Sequence, residues 1–105
     1  MKLEKQEISE TQLRLFVAGR WDMMGNRIFE LEFPKFLSET IQSIIIDLSR
    51  LEFIASIGIR SLVSQAKDLN EKDVSLVISN PPELIKDVLT NVGIENFIEV
   101  IEEDN

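Results

Sequence analysis

Ser56 is the residue whose type and setting best suit chemistry. It stands in Ile54-Ala55-Ser56-Ile57-Gly58-Ile59, where an irregular loop meets a helical pattern. As a helix N-cap its oxygen would accept a backbone N–H, worth about 1 kcal/mol. As a modifiable hydroxyl it would place a phosphate against unpaired N–H groups and the positive end of the helix dipole. The two roles are compatible, one in each state of the side chain. Asp22 follows the turn Gly19-Arg20-Trp21, and Asp47 closes an apolar run. Carboxylates from two strand ends can converge on a cation or a basic side chain, and singly they are common turn formers. Trp21 is either an exposed partner anchor, a role in which Trp is enriched, or a lid on the core. Gly58 stands alone, so no glycine-rich phosphate loop exists.

The composition removes most other chemistries. The 105 residues include no histidine and no cysteine. That excludes imidazole bases, disulfides, thiolate metal sites and cysteine nucleophiles. An enzyme built on Asp22 and Asp47 around a metal would lack the usual ligand set, so neither catalysis, a metal nor a cofactor is expected. The net charge of −8 disfavours phosphate backbones, so nucleic acid is not an expected partner, whereas a positively charged protein surface is. The opening MKLEKQEISE has no apolar signal core, and no apolar run approaches the roughly 20 residues of a membrane span. A cytoplasmic protein without membrane contact is expected, with residues 1–105 forming one domain.

The elements that must position these residues can be read from periodicity. Leu13, Leu15 and Val17 alternate as in a half-buried strand, with residues 1–5 as an edge partner; Gly19-Arg20-Trp21-Asp22 and Gly25-Asn26 read as breaks. Ile28, Leu31, Phe36 and Leu37 suggest a helix kinked or split at Pro34. Ser43 to Leu48 reads as a central strand covered on both sides. Arg50 to Ala55 reads as a loop, and from Ser56 a helix presents Ile59, Leu62, Val63, Ala66 and Leu69 as one stripe. Val74 to Ile78 is a strand. Asn80-Pro81-Pro82 announces a helix with Asn80 as cap, Leu84, Ile85, Val88 and Leu89 buried, and Gly93 as stop. Residues 97–101 suggest a last strand, and Glu102-Glu103-Asp104 a frayed tail. The pattern predicts a small α/β domain, a mixed sheet with its helices packed on one side.

The stretch from Ile44 to Leu62, with Asp47-Leu48 closing a strand and Ala55-Ser56-Ile57-Gly58-Ile59 opening a helix, resembles the signature of STAS domains. It is most similar to that of the bacterial anti-sigma-factor antagonists, an apolar strand ending in Asp-Leu, a short loop, then Asp-Ser-Ser-Gly-Leu or Asp-Ser-Ala-Gly-Leu. Gly19-Arg20-Trp21-Asp22 matches the family's Gly-x-x-Asp, and Asn80-Pro81-Pro82 through Gly93-Ile94 and Phe97 its last strand–helix–strand stretch. The resemblance implies a phosphorylation-switched, non-enzymatic binding module in transcription control. Ser56 would be the phosphoacceptor and Asp22 would shape the site. Trp21, Ala55, Ile57, Gly58 and Arg60 would complete the partner-binding surface. The implied partners are an anti-sigma factor that is itself a serine kinase, carrying the ATP, and a PP2C-type phosphatase. One position departs: the family's aspartate before the serine is Ala55 here. A degenerate, non-switched STAS scaffold or adaptor is the alternative that this departure raises.

Overall fold

The computed structural model describes residues 1–103. The chain order is β1 (Lys2–Glu7), β2 (Gln12–Trp21), α1 (Met23–Phe36), β3 (Ser43–Asp47), β4 (Leu51–Ile54), α2 (Ser56–Glu71), β5 (Ser75–Ser79), α3 (Glu83–Asn91), a 3-10 turn (Ile94–Asn96) and β6 (Glu99–Ile101). The sheet runs β1-β2-β3-β5-β6, and β4 pairs with the far end of β2. Only β1 is antiparallel to its neighbour, so the sheet is mixed as expected. Every parallel step from β2 to β3, β5 and β6 moves the same way across the sheet. Right-handed crossovers therefore put α1, α2 and α3 on one face. Leu13 and Leu15 of β2 lie in register with Ile44 and Ile46 of β3, and these with Leu76 and Ile78 of β5. This apolar face meets Phe29 and Phe33 of α1, Leu62 and Leu69 of α2, and Ile85 and Leu89 of α3.

Several sequence expectations are corrected. β2 does not end at Gly19: a left-handed backbone there (φ 97°) shifts the register and carries the strand on to Trp21. Residues 51–54 are not loop but β4, which continues the line of β3 along β2. Gly25 and Asn26 lie buried inside the first turns of α1, and the helix runs unbroken through Pro34. Pro34 has no N–H to give the Glu30 carbonyl, so α1 forgoes one hydrogen bond two residues before its end. The buried side of α1 is Phe29 and Phe33, with Leu31 exposed. On α3, Leu84 and Val88 are exposed rather than buried. Asn80 caps no helix; its side chain accepts from the Glu103 N–H. Gly93 does stop α3, in a left-handed backbone (φ 70°). Nor is the tail loose as far as Glu103, since Glu102 and Glu103 pair with Lys86 and Arg14; Asp104 lies outside the described residues.

Among the described residues no helix covers the other face of the sheet, so the central strand is not sandwiched by helices. Ile45 is nonetheless buried there, between Arg14 and Val77 in register. Arg14 Nη1 donates to Asp47 Oδ2 at 2.8 Å, and Arg14 Nη2 to Glu103 at 2.7 Å. Ser49 N–H and Asn80 Nδ2 also donate to Asp47. Burial by itself would raise the Asp47 carboxyl, but the donors Ser49, Arg14 and Asn80 outweigh it and hold it below the ordinary carboxylate range.

At the far end of β2, Trp21 is wholly buried, its ring 4.6 Å from that of Phe29. Its indole N–H donates to Asn26 Oδ1 at 3.0 Å, which also accepts from Ser61 Oγ at 2.7 Å. A Cβ at Gly58 would stand 2.7 Å from Trp21 Cδ1. The helix therefore crosses the ring at a distance that only glycine permits.

Two outcomes are expected. In Gly58→Ala, the ring cannot retreat, because Asn26 and Phe29 hold it. Overpacking of about 1–3 kcal/mol should exceed the gain in helix propensity of about 1 kcal/mol, giving a net loss in urea unfolding. Trp21→Phe in the same chain should recover part of that loss; additive losses would show that ring and glycine are not in conflict. The second outcome concerns acid. A carboxyl depressed in the fold contributes stability above its unfolded value near 4 and loses it as pH falls through its folded value. Asp47→Asn should cost about 3 kcal/mol at pH 7 and flatten the fall in stability between about pH 5 and 2. An acid limb as steep as that of the parent would assign it to other carboxylates.

Candidate functional site

The path of β2 decides where Ser56 sits. Gly19 N–H donates to the Arg50 carbonyl at 3.1 Å, and Ala55 N–H to the Trp21 carbonyl at 2.9 Å. Both bonds bind the chain before Ser56 to the end of β2, so α2 begins beside the turn that starts α1. The α1 turn is capped by Asp22, whose Oδ1 accepts from Gly25 N–H at 2.9 Å. This backbone bond, with Arg20 nearby, keeps the Asp22 carboxyl below its ordinary value. The start of α2 is different. Ala55 holds the N-cap position, with extended backbone (φ −88°, ψ 166°) and no side-chain oxygen to accept. Ser56 is the first helical residue and is exposed, so it is not the cap that its residue type suggested. The Gly58 and Ile59 N–H groups go to the Ala55 carbonyl, whereas those of Ser56 and Ile57 find no partner among the described residues.

Around this serine the structure gathers Asp22, half-buried Ala55 and Ile57, and, one turn along α2, exposed Arg60. Trp21 takes the core-lid alternative: fully buried, it offers a partner no surface. Gly58 is likewise buried and acts by letting α2 approach the indole. Asp22 and Asp47 do not converge. Asp47 lies opposite Phe16, and Asp22 is six residues further along β2, roughly 20 Å away at strand rise. Among the described residues no three Asp or Glu side chains cluster closely enough to hold a metal ion. Among the described residues no helix is long and apolar enough to cross a membrane.

The sequence reading missed two contributors. Met23 and Met24, each 64% exposed, form the first turn of α1 directly after the Asp22 cap. Paired methionines following an Asp cap were the available signal, obscured by reading Gly25-Asn26 as a break. Phe53 of β4 is partly exposed, with the Arg20 guanidinium 4.3 Å above its ring. The two methionines give the edge of the site beside Asp22 an apolar, polarisable character suited to protein contact, whereas Phe53, in register with Arg20, lies on the other face of the sheet from Trp21 and Ile54.

Comparison with known structures places this geometry. The unphosphorylated form of the anti-sigma factor antagonist SpoIIAA superposes with a TM-score of 0.81 at 13% identity, over 99% of this chain and 90% of that one. The phosphorylated form of SpoIIAA, described as a Bacillus cell fate determinant, gives 0.74 at 13% identity over 99% and 93%. An anti-sigma factor antagonist from Mycobacterium paratuberculosis gives 0.80 at 18% identity over 94% and 85%. Among curated proteins, none matches the sequence. At these identities the structural likeness establishes the fold alone. The family model described as "STAS domain" matches residues 3–104, nearly the whole length, and the chain belongs to the STAS domain family.

Proposed function

We propose that this chain is a phosphorylation-switched binding module of the anti-sigma-factor antagonist type, with Ser56 as its phosphoacceptor. The observation that carries the reading is the start of α2, an exposed serine at the first helical position with two backbone N–H groups unpartnered and no capping side chain. A phosphate on Ser56 would stand at the positive end of the helix dipole. It would add about −1.5 to −2 charges and three acceptor oxygens to an exposed surface that already carries Asp22 and Arg60. The unphosphorylated chain would bind an anti-sigma factor that is also a serine kinase, freeing the sigma factor. Phosphorylation, with ATP held by the kinase, would end that contact, and a PP2C-type phosphatase would restore it. Docking would use Ser56, Ala55, Ile57 and Arg60 beside Asp22, with Trp21 and Gly58 setting their positions from beneath. This chain supplies no catalytic group, and its place of action would be the bacterial cytoplasm.

Ala55 favours a second reading, a constitutive adaptor without the switch, because no carboxylate stands beside the hydroxyl. Intact-mass measurement of the protein from its own cells separates the two: phosphate on Ser56 supports the switch, and unmodified protein under all growth conditions supports the adaptor.

With the cognate kinase, Ser56→Ala should bind as the parent does and take up no phosphate, whereas Ser56→Asp should bind about a hundredfold more weakly, about 2.8 kcal/mol. Phosphate uptake undiminished in Ser56→Ala would move the acceptor elsewhere. Ala55→Asp tests the departure from the family pattern. Since residue 55 is the N-cap, the new carboxylate should accept helix N–H groups and stabilise the fold by about 1 kcal/mol in thermal unfolding. It should also speed phosphorylation about tenfold by adding a charged hydrogen bond near the hydroxyl. Slower phosphorylation with weaker kinase binding would identify Ala55 as a fitted apolar contact.

A further inference from the structure

The helix layer is not closed. α2 packs on α1 and β5, whereas α3 packs on β4 and the 3-10 turn. An open groove of about 700 Å³ runs along α2, lined by Ile57, Arg60, Val63 and Lys67 on one side and by Val92 and Phe97 on the other. Val92 continues an apolar row with Leu84 and Val88, because residues four apart share one side of a helix. Leu84, Val88, Val92 and Phe97 are 79%, 39%, 52% and 65% exposed. Ile85 and Leu89 already supply the apolar face that α3 needs for the core, so this row is surplus to folding.

The charge in the groove is the reverse of the chain's. Six of the eleven cations form ion pairs within the described residues, and of the five that form none, Arg60 and Lys67 both line this groove. The one lining carboxylate, Glu30, accepts from Asn26 on α1. Two free cations on one wall facing bare aliphatic and aromatic side chains on the other specify a ligand with both characters.

We infer that the groove between α2 and the segment that follows α3 is a second docking site, taking an amphipathic segment of a partner protein whose apolar side chains meet Val92 and Phe97 while its carboxylates meet Arg60 and Lys67. A helix with apolar residues three and four apart and Asp or Glu on one flank has this shape. The inference rests on the groove and not on phosphorylation of Ser56, although Ile57 and Arg60 belong to both surfaces.

The probe is a displayed library of helical peptides of fixed apolar spacing and randomised flanks, selected on the full chain without any kinase. Peptides enriched in Asp and Glu on one flank are expected. Amide shifts on binding should be confined to residues 57–67 and 92–97, and affinity should fall tenfold or more in both Lys67→Glu and Phe97→Ser. Both substitutions are at the surface, and parental unfolding curves would show that the fold survives them. No enrichment, basic flanks, or affinity unchanged in either variant would overturn the inference. A kinase-side failure at Ser56 would leave this result untouched, so the two surfaces are judged separately.

Discussion

One indole holds the candidate site together. Trp21 ends β2, lies wholly buried, and donates to Asn26 on α1, which in turn accepts from Ser61 on α2. The backbone of α2 crosses its ring at Gly58, and the Trp21 carbonyl receives the Ala55 N–H. Strand end, first turn of α1 and first turn of α2 therefore share one reference point. Ser56 is exposed, yet its position is set from below by groups that never reach solvent. A rigid base of this kind suits recognition, since little conformational entropy remains to be lost when the rim meets a partner.

Charge is distributed to the same end. On the open face of the sheet Arg14 joins Asp47 of β3 to Glu103 after β6, which ties the C-terminal residues across the sheet. At the helix end, Arg20 leans over Phe53 close to Asp22. Of the five cations without an ion pair among the described residues, two, Arg60 and Lys67, share one groove. An acidic chain with a local basic wall repels acidic partners at long range and admits them only where close contact is made. Such selection acts on specificity more than on raw affinity.

Legibility in the sequence followed the strength of local periodicity. Leu13, Leu15 and Val17 alternate cleanly, and β3 is an unbroken aliphatic run, so the sheet was readable, as were α2 and the stop at Gly93. β4 was not, because Leu51, Phe53 and Ile54 neither alternate nor form a long run; the strand exists because β2 offers it an edge. Gly19 misled for a physical reason: glycine breaks strands in general, but a left-handed residue can also bend one onward. The stripes of α1 and α3 were misassigned because each helix carries apolar residues on two sides. Only tertiary packing selects Phe29 over Leu31, and Ile85 over Leu84. The start of a helix at Ser56 was legible and its place as first helical residue rather than cap was not, since serine is among the best N-caps and alanine among the poorest.

That inversion has a consequence for how a switch would work here. A good cap satisfies the first N–H groups of a helix and leaves little for an incoming anion to do. With alanine at the cap, the N–H groups of Ser56 and Ile57 have no partner among the described residues. On the proposed reading, a phosphate on Ser56 would thus find hydrogen-bond capacity that an aspartate at position 55 would have competed for. The phosphorylated state would gain a cap that the unphosphorylated state lacks, so modification would stiffen the first turn of α2 while changing its charge. The missing carboxylate would then shift the balance of the switch: slower entry for want of a polar neighbour, but a more favourable phosphorylated state. On that reading an alanine at this position would trade the rate of one step against the depth of the other, which is a different device from a defective site.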